Sequence, residues 1–341
     1  MGIKEVARAA EVSTATVSRV FAGASHVRPE VRERVLAAAA RLGYRPNLVA
    51  RSLRAQRSSA IGLIVSDIRN PFFTAVSRAV EDAAYAQGFS VILCDTDEDP
   101  QREAKYLNLM RDTNVAGVIF SPTRQTMARF AALPPEPPMV VVDRFMPDVP
   151  VDAVLLDNVD AAYRLASHLI ANGYRRIAAL FGDVGTTGQE RRRGYEQALR
   201  DHGIPREPLL ALAVPPRMEA GRDATRELLA LSPTPDALLA GNSLLAAGAL
   251  QAIRERGLSI PQDLALVSFD ETTWETLVEP AITIIAQPTY EIGKTAAELL
   301  LQRIADPQRP PRRILLNGQL IVRGSSAPRQ GHSVGVEDVA G

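Results

Sequence analysis

"IKEVARAAEVSTATVSRVFAG", residues 3–23, is the stretch from which the N-terminal part of the chain can be read. Ile3, Val6, Ala7 and Ala10 recur at helical spacing, which makes one face of a first helix apolar. "EVS" interrupts that pattern, and Ser13 is a good N-cap for a second helix reaching to about Ala22. After the turn "GAS", the run "RPEVRERVLAAAARLGY" predicts a third helix, with Pro29 near its first turn and Gly43 just past its end. Two short helices joined by a tight turn and followed by a third form a helix-turn-helix pattern. The second helix offers Thr14, Ala15, Thr16, Ser18 and Arg19 outward, while Val17 and Val20 face Val6 and the third helix. Small side chains let a helix sit deep in a major groove. Hydroxyls reach base edges or phosphates, and an arginine grips guanine through two hydrogen bonds.

The charge distribution agrees. The 341-residue chain carries 39 basic and 39 acidic residues, so it is neutral overall. Residues 1–58 nevertheless hold eleven basic side chains against four acidic ones, a net +7 that leaves −7 on the remainder. A basic module on an acidic body is the layout expected where one end meets a polyanion.

From residue 60 the pattern alternates strand and helix. "AIGLIV", "FSVILC", "VAGVIF", "MVVVD", "RIAALF", "DALLA" and "LALVSF" read as near-continuous apolar strands. Amphipathic stretches such as "TAVSRAVEDAAYAQG" lie between them. Strands of that kind belong to parallel sheets covered on both faces. The length is too great for one such sheet, a second series begins near Asp157, and the chain crosses again near residue 286, so two similar α/β lobes are expected. The tail beyond about Ser325 lacks apolar periodicity and reads as disordered. Nowhere does an apolar run approach the roughly 20 residues that span a bilayer. The charges at Lys4, Glu5 and Arg8 argue against a secretory signal. The single cysteine, Cys94, permits no intrachain disulfide, fits a reducing compartment, and reads as a buried strand end.

Ligands of parallel α/β lobes bind at the carboxyl ends of strands. Just after strands come Asn70, Phe72 and Phe73, then Asp143 and Arg144, Arg191, Asn242, Asp270 with Trp274, and Gln287. Amide, carboxylate and guanidinium groups beside aromatic rings suit a polyhydroxylated molecule, because each hydroxyl both donates and accepts. Asp143 and Arg144 read equally well as a structural ion pair, and Phe72 and Phe73 as core. A catalytic set is not found: no G-x-S-x-G, no P-loop and no strand-following G-x-G-x-x-G is present. The four histidines lack metal-ligand spacing. Neither a cofactor nor a metal is expected.

"IKEVARAAEVSTATVSRVFAG" followed by "VRPEVRERVLAAAARLGYRPNLVARSLR" resembles the DNA-binding headpiece of the LacI/GalR family of bacterial regulators, and the likeness extends to about residue 324. Glu11 stands where that family usually has a glycine, and Ser243 where it usually has an aspartate. The resemblance implies an α/β fold with an N-terminal all-α helix-turn-helix headpiece and a two-lobed periplasmic-binding-protein-like effector domain built on parallel sheets. Expected boundaries are 1–46 for the headpiece, 47–58 for a hinge helix and linker, and 59–325 for the effector domain. Its first lobe spans about 59–157 and 287–325, its second about 158–286, and residues 326–341 form the tail. The segment "NLVARSLR" is too short to be a stable helix alone. The resemblance implies that it orders on DNA, with Leu53 wedged between base steps in the minor groove, Ala50 at the close helix approach, and Arg51 and Arg54 at phosphates. Arg28 and Asn47 complete the expected DNA contacts.

The implied protein is a cytoplasmic, homodimeric (tetramer possible) repressor that binds a near-palindromic operator. A sugar or sugar acid between the lobes would control it, with no membrane partner and no enzymatic activity. The strand-end residues match the family's ligand positions in "NPFF", the arginine before "GY", "GNS", "SFDE" and "AQP". The alternatives are a solute-binding protein of a sugar transport system and a purine-responsive, co-repressed regulator.

Overall fold

The structure is a computed structural model that describes residues 2–21, 27–44, 58–127, 137–144 and 149–329. The chain forms two compact units, Met1–Ser58 and Ser59–Gly341.

In the first unit, α1 spans Ile3–Ala9, α2 Thr14–Phe21 and α3 Pro29–Arg41. The apolar positions read from the sequence close on one another: Val6, Val17, Val20 and Val35 are all buried in one cluster. Ser13 caps α2, its Oγ accepting from Thr16 N–H at 3.1 Å. Glu11 adopts φ +55° in the turn. A non-glycine residue there costs on the order of 1 kcal/mol, which is the physical meaning of the missing glycine. Gly43 takes φ +60° and ends α3, with Tyr44 N–H reaching back to Ala39 O at 2.9 Å.

The second unit contains two six-stranded sheets. Their strands are β1 (Ala60–Val65), β2 (Ser90–Asp95), β3 (Val118–Phe120), β4 (Met139–Val142), β5 (Asp152–Leu156), β6 (Ile177–Gly182), β7 (Ala211–Val214), β8 (Ala237–Ala240), β9 (Ala265–Phe269), β10 (Thr283–Ala286), β11 (Arg313–Leu316) and β12 (Gln319–Ile321). The first sheet runs β11-β5-β4-β3-β1-β2 and the second β12-β10-β9-β8-β6-β7. The core strand order thus repeats from one lobe to the other. The helices are α4 (Pro71–Ala86), α5 (Pro100–Asp112), α6 (Arg124–Met127), α7 (Asn158–Ala171), α8 (Thr186–Asp201), α9 (Met218–Leu229), α10 (Ser243–Glu255), α11 (Thr273–Leu277) and α12 (Thr289–Ala305). Strands β1, β3 and β4 of the first sheet and β8, β9 and β10 of the second are almost wholly buried. That explains their uninterrupted Val, Ile, Leu and Ala.

The chain differs from expectation near its C-terminus. β12 lies antiparallel against β10, so residues 319–321 belong to the second lobe's sheet rather than the first. The chain therefore passes between the lobes three times, the third time at Gly318. Ser325 then anchors to the second lobe, its N–H on Ala281 O at 3.1 Å and its Oγ on Leu266 O at 2.5 Å. Residues 326–329, expected as part of a disordered tail, are held too. Tyr174 Oη donates to Ala327 O at 2.7 Å, and Arg329 N–H donates to Asn172 O at 3.0 Å. These are polar bonds to residues distant in sequence, made by main chain and side chains alike, and they leave no mark in hydropathy. The remainder of the expected tail, 330–341, lies outside the described residues.

Candidate functional site: a DNA-reading helix and an inter-lobe cleft

On α2, Thr14, Ala15, Ser18 and Arg19 are exposed on one face while Val17 and Val20 are buried on the other. Thr16 is half-buried, and its hydroxyl lies 3.0 Å from the capping Ser13 Oγ. It helps to start the helix and is less free than its neighbours. Arg28 is exposed immediately before α3. Asn47, Ala50, Arg51, Leu53 and Arg54, the expected hinge and groove contacts, lie outside the described residues.

In the second unit, the carboxyl ends of both sheets open onto one cleft. Asn70, Phe72, Phe73, Asp143 and Arg144 line it from the first lobe, and Arg191, Asn242, Asp270 and Gln287 from the second. Asn70 caps α4, its Oδ1 accepting from Phe72 N–H at 3.0 Å. Phe72 and Phe73 sit in the first turn of that helix with ring centroids 5.0 Å apart, edge to face, and both rings also belong to the first lobe's core. Asn242 caps α10, its Oδ1 accepting from Leu245 N–H at 2.8 Å. Asp270 follows β9, accepts from Ser243 N–H at 3.1 Å, and is held again by Gln287 Nε2 at 2.5 Å. Ser243, standing where the resembled family has an acid, keeps its Oγ buried without a hydrogen-bond partner among the described residues.

Trp274, expected at the mouth of this cleft, is not among the residues lining it. Thr272 and Glu275 form a capping box that fixes the five-residue helix α11. In that setting Trp274 packs half-buried against the second-lobe cluster containing Leu266, Ile282 and Ile284.

The cleft also takes Glu98, which strand-end reasoning missed, with Asp97 beside it. Asp97 and Glu98 come after β2 with φ +49° and +59°. Glu98 binds Arg144 bidentately, with one contact at 3.0 Å. Asp97 meets Arg69 of its own lobe and Arg217 of the other, the latter at 3.1 Å. Thr187 Oγ1 adds a second bond between the lobes, donating to Asp143 O at 3.2 Å. "DTDED" reads as a solvated acidic turn, and only successive left-handed residues aim it inward.

Burial tunes the charges. It disfavours the Arg144 cation, but the contact with Glu98 wins and raises its pKa. It lowers the pKa of Arg191, against the opposing fields of Asp270 and Asp143. Burial likewise raises the Asp143 carboxyl, although Arg144 and Arg191 pull it back down. Cys94 is buried and burial pushes its thiol up, as suits a packing role. Among the described residues, no helix is long and apolar enough to cross a membrane.

Two family models match the chain. Residues 2–47 match "Bacterial regulatory proteins, lacI family", and residues 58–323 match "Periplasmic binding proteins and sugar binding domain of LacI family". The transcriptional regulator PtxS of Pseudomonas aeruginosa is 37% identical over 331 residues, covering 96% of each chain. Among solved structures, a complex of the transcriptional regulator CelR with cellobiose is 30% identical with TM-score 0.71, covering 95% of this chain and 99% of that one. The Lac repressor dimer bound to operator and an anti-inducer is 27% identical with TM-score 0.84, covering 96% and 99%. The strand-end cleft, the helix-turn-helix unit and these likenesses converge: the chain belongs to the LacI family of DNA-binding transcriptional regulators, and is not an enzyme.

Proposed function

We propose that this regulator is a cytoplasmic homodimer that represses transcription from a near-palindromic operator and is switched by a sugar bound between its lobes. The observation that carries the reading is the convergence of Asn70, Asp143, Arg191, Asn242, Asp270 and Gln287 from both sheets on one cleft. A ligand held by both lobes has a different affinity for their closed and open arrangements, and only such a difference can move the equilibrium. Thr14, Ala15, Thr16, Ser18, Arg19 and Arg28 of each protomer would contact DNA, joined by Asn47, Ala50, Arg51, Leu53 and Arg54. Two copies are needed because one small headpiece makes few base contacts and paired half-sites supply specificity. The cellobiose complex and the dimer of the similar structures support a carbohydrate effector and a two-fold assembly.

The test is fluorescence anisotropy of a labelled promoter duplex, titrated with the protein in the presence of pentoses, hexoses and disaccharides. A saturable change of operator Kd by one sugar is expected. No change with any of them overturns the sugar reading. Leu53→Ala should weaken operator binding while leaving binding to random DNA nearly unchanged. Equal loss on both would remove the wedge.

A further inference from the structure

We propose that the effector carries no net charge: the cleft takes a neutral polyhydroxylated molecule and discriminates against sugar acids and sugar phosphates. This rests on the sugar reading above and narrows it.

The lining carries four carboxylates, Asp67, Glu98, Asp143 and Asp270, and two guanidinium groups, Arg144 and Arg191. Two of the carboxylates are already matched. Asp67 receives Arg69 through both oxygens, at 2.9 and 3.0 Å. Glu98 receives Arg144 in the same two-pronged way. Both terminal nitrogens of Arg144 are committed within the protein, and only its buried Nε–H lacks a hydrogen-bond partner among the described residues. Its Nη1 also donates to Pro122 O at 2.6 Å and its Nη2 to Ser66 Oγ at 3.3 Å. Its Nε lies 3.6 Å from Asp143 Oδ2 and packs against Gly185, where an added Cβ would fall 2.9 Å away.

That leaves Arg191 against both Asp143 and Asp270, a surplus of one negative charge. Arg191 donates Nε to Asn158 Oδ1 at 2.9 Å and Nη1 to Gly241 O, and its guanidinium lies 3.9 Å over the Phe269 ring. Among the described residues, its Nη2 finds no acceptor. A carboxylate or phosphate placed there would enter a buried site with two carboxylates already around the one cation left to meet it.

Three helices begin at the cleft, and helix N-termini favour anions. Two of these starts already have a protein acceptor beside them. The Asn70 carbonyl oxygen caps α4, and the Asn242 side chain with the Asp270 carboxylate occupies the start of α10. The start of α8, with Gly185 at its N-cap, has no side-chain cap, so an anion there is opposed only by the surplus of negative charge; Thr187 Oγ1 donates to Asp143 O at 3.2 Å. The groups still open suit hydroxyls, which donate to carboxylates and accept from amides. Among the described residues, the Asp143 carboxylate has no hydrogen-bond donor, and the Asn70 and Asn242 Nδ2 groups make no bond. The charged group of an anionic ligand only accepts, so it would satisfy the amides and be repelled by the carboxylates.

The experiment is isothermal titration calorimetry of the full-length protein with matched sets: glucose, gluconate and glucose 6-phosphate; ribose, ribonate and ribose 5-phosphate; cellobiose and cellobionate. Adenine and guanosine are included as uncharged molecules that are not carbohydrate ligands of this kind. In the set that binds, the neutral sugar should bind at least about tenfold more tightly than its acid or phosphate. Asp143→Asn should narrow that ratio, and the asparagine keeps the left-handed backbone of the site. An acid or phosphate that binds as tightly as its neutral parent overturns the charge inference and leaves the sugar reading standing. Binding of adenine or guanosine and of no sugar overturns the sugar reading but supports an uncharged effector. Silence across the whole panel overturns both.

Discussion

Arg144 and Arg191 are equally buried, each 4% exposed, and both line the same cleft, and burial disfavours both cations, yet their pKa values move in opposite directions. Arg144, from the first lobe, meets a carboxylate through two prongs, and its pKa rises. Arg191, from the second, meets an amide oxygen, a main-chain carbonyl and an aromatic face, all neutral, and its pKa falls. The difference teaches that buried charge in this cleft has two uses. Paired charge fixes a wall. Charge held by neutral partners keeps an unsatisfied edge for a ligand.

The largest expected effect tests the wall. Arg144→Met leaves Glu98, whose side chain is only 17% exposed, without its partner. Removing one member of a buried pair costs about 3–5 kcal/mol, so the urea midpoint of the effector domain should fall sharply. Adding Glu98→Gln should recover at least half of that loss. A single-variant cost below about 1 kcal/mol would put Arg144 in the same class as a surface arginine and break the comparison.

Arg191→Met should show the reverse pattern. It gives up two hydrogen bonds to neutral acceptors and a stacked ring, worth about 1–3 kcal/mol of stability. Effector affinity should drop more than tenfold in the calorimetric titration that identifies the ligand. If stability falls and affinity does not, Arg191 is another wall residue.

Asp143 sharpens the contrast through pH. Desolvation raises its carboxyl above the ordinary value, opposed by Arg144 and Arg191 and assisted by Glu98 and Asp270. For an acid, a raised folded-state pKa means that ionisation at neutral pH works against folding. That penalty disappears as pH falls through the folded-state value, and below the unfolded value the group is neutral in both states. Asp143→Asn should therefore melt higher than the parent at pH 7, with the difference vanishing by about pH 3. The parent's effector affinity should weaken on acidification, because a protonated Asp143 accepts less well, and the variant should lose that dependence. A constant difference in melting temperature across the range would assign Asp143 a purely steric role.

Most of this site was legible from residues alone because the topology makes a general demand. Parallel strands deliver the residues just past their carboxyl ends to one edge. Asn70, Asp143, Arg191, Asn242, Asp270 and Gln287 could be found that way, and the three N-terminal helices by their caps. Trp274 broke the rule because a capping box in a five-residue helix, not the strand before it, decides where its ring lies. Asp97 and Glu98 were hidden because their direction comes from positive φ at two successive acidic residues, a conformation that sequence pattern does not announce. β12 was hidden because three residues of antiparallel pairing show no period, and the bonds that hold Ser325 to Arg329 are polar contacts to residues distant in sequence, which hydropathy does not register.

The smallest expected effect marks the boundary of the comparison. Arg217 reaches Asp97 across the cleft at 3.1 Å, but the two side chains are 48% and 31% exposed. An ion pair that open to water is worth about 0–1 kcal/mol and is screened by salt. Arg217→Gln should shift stability by no more than that, and the shift should disappear when the melt is repeated at about 1 M salt. Effector affinity should change less than threefold. A larger, salt-resistant loss of affinity would mean that closure of the two lobes, rather than the buried guanidinium groups beneath, limits binding. Asp97 would then have to be counted with Arg191 as part of the ligand's hold.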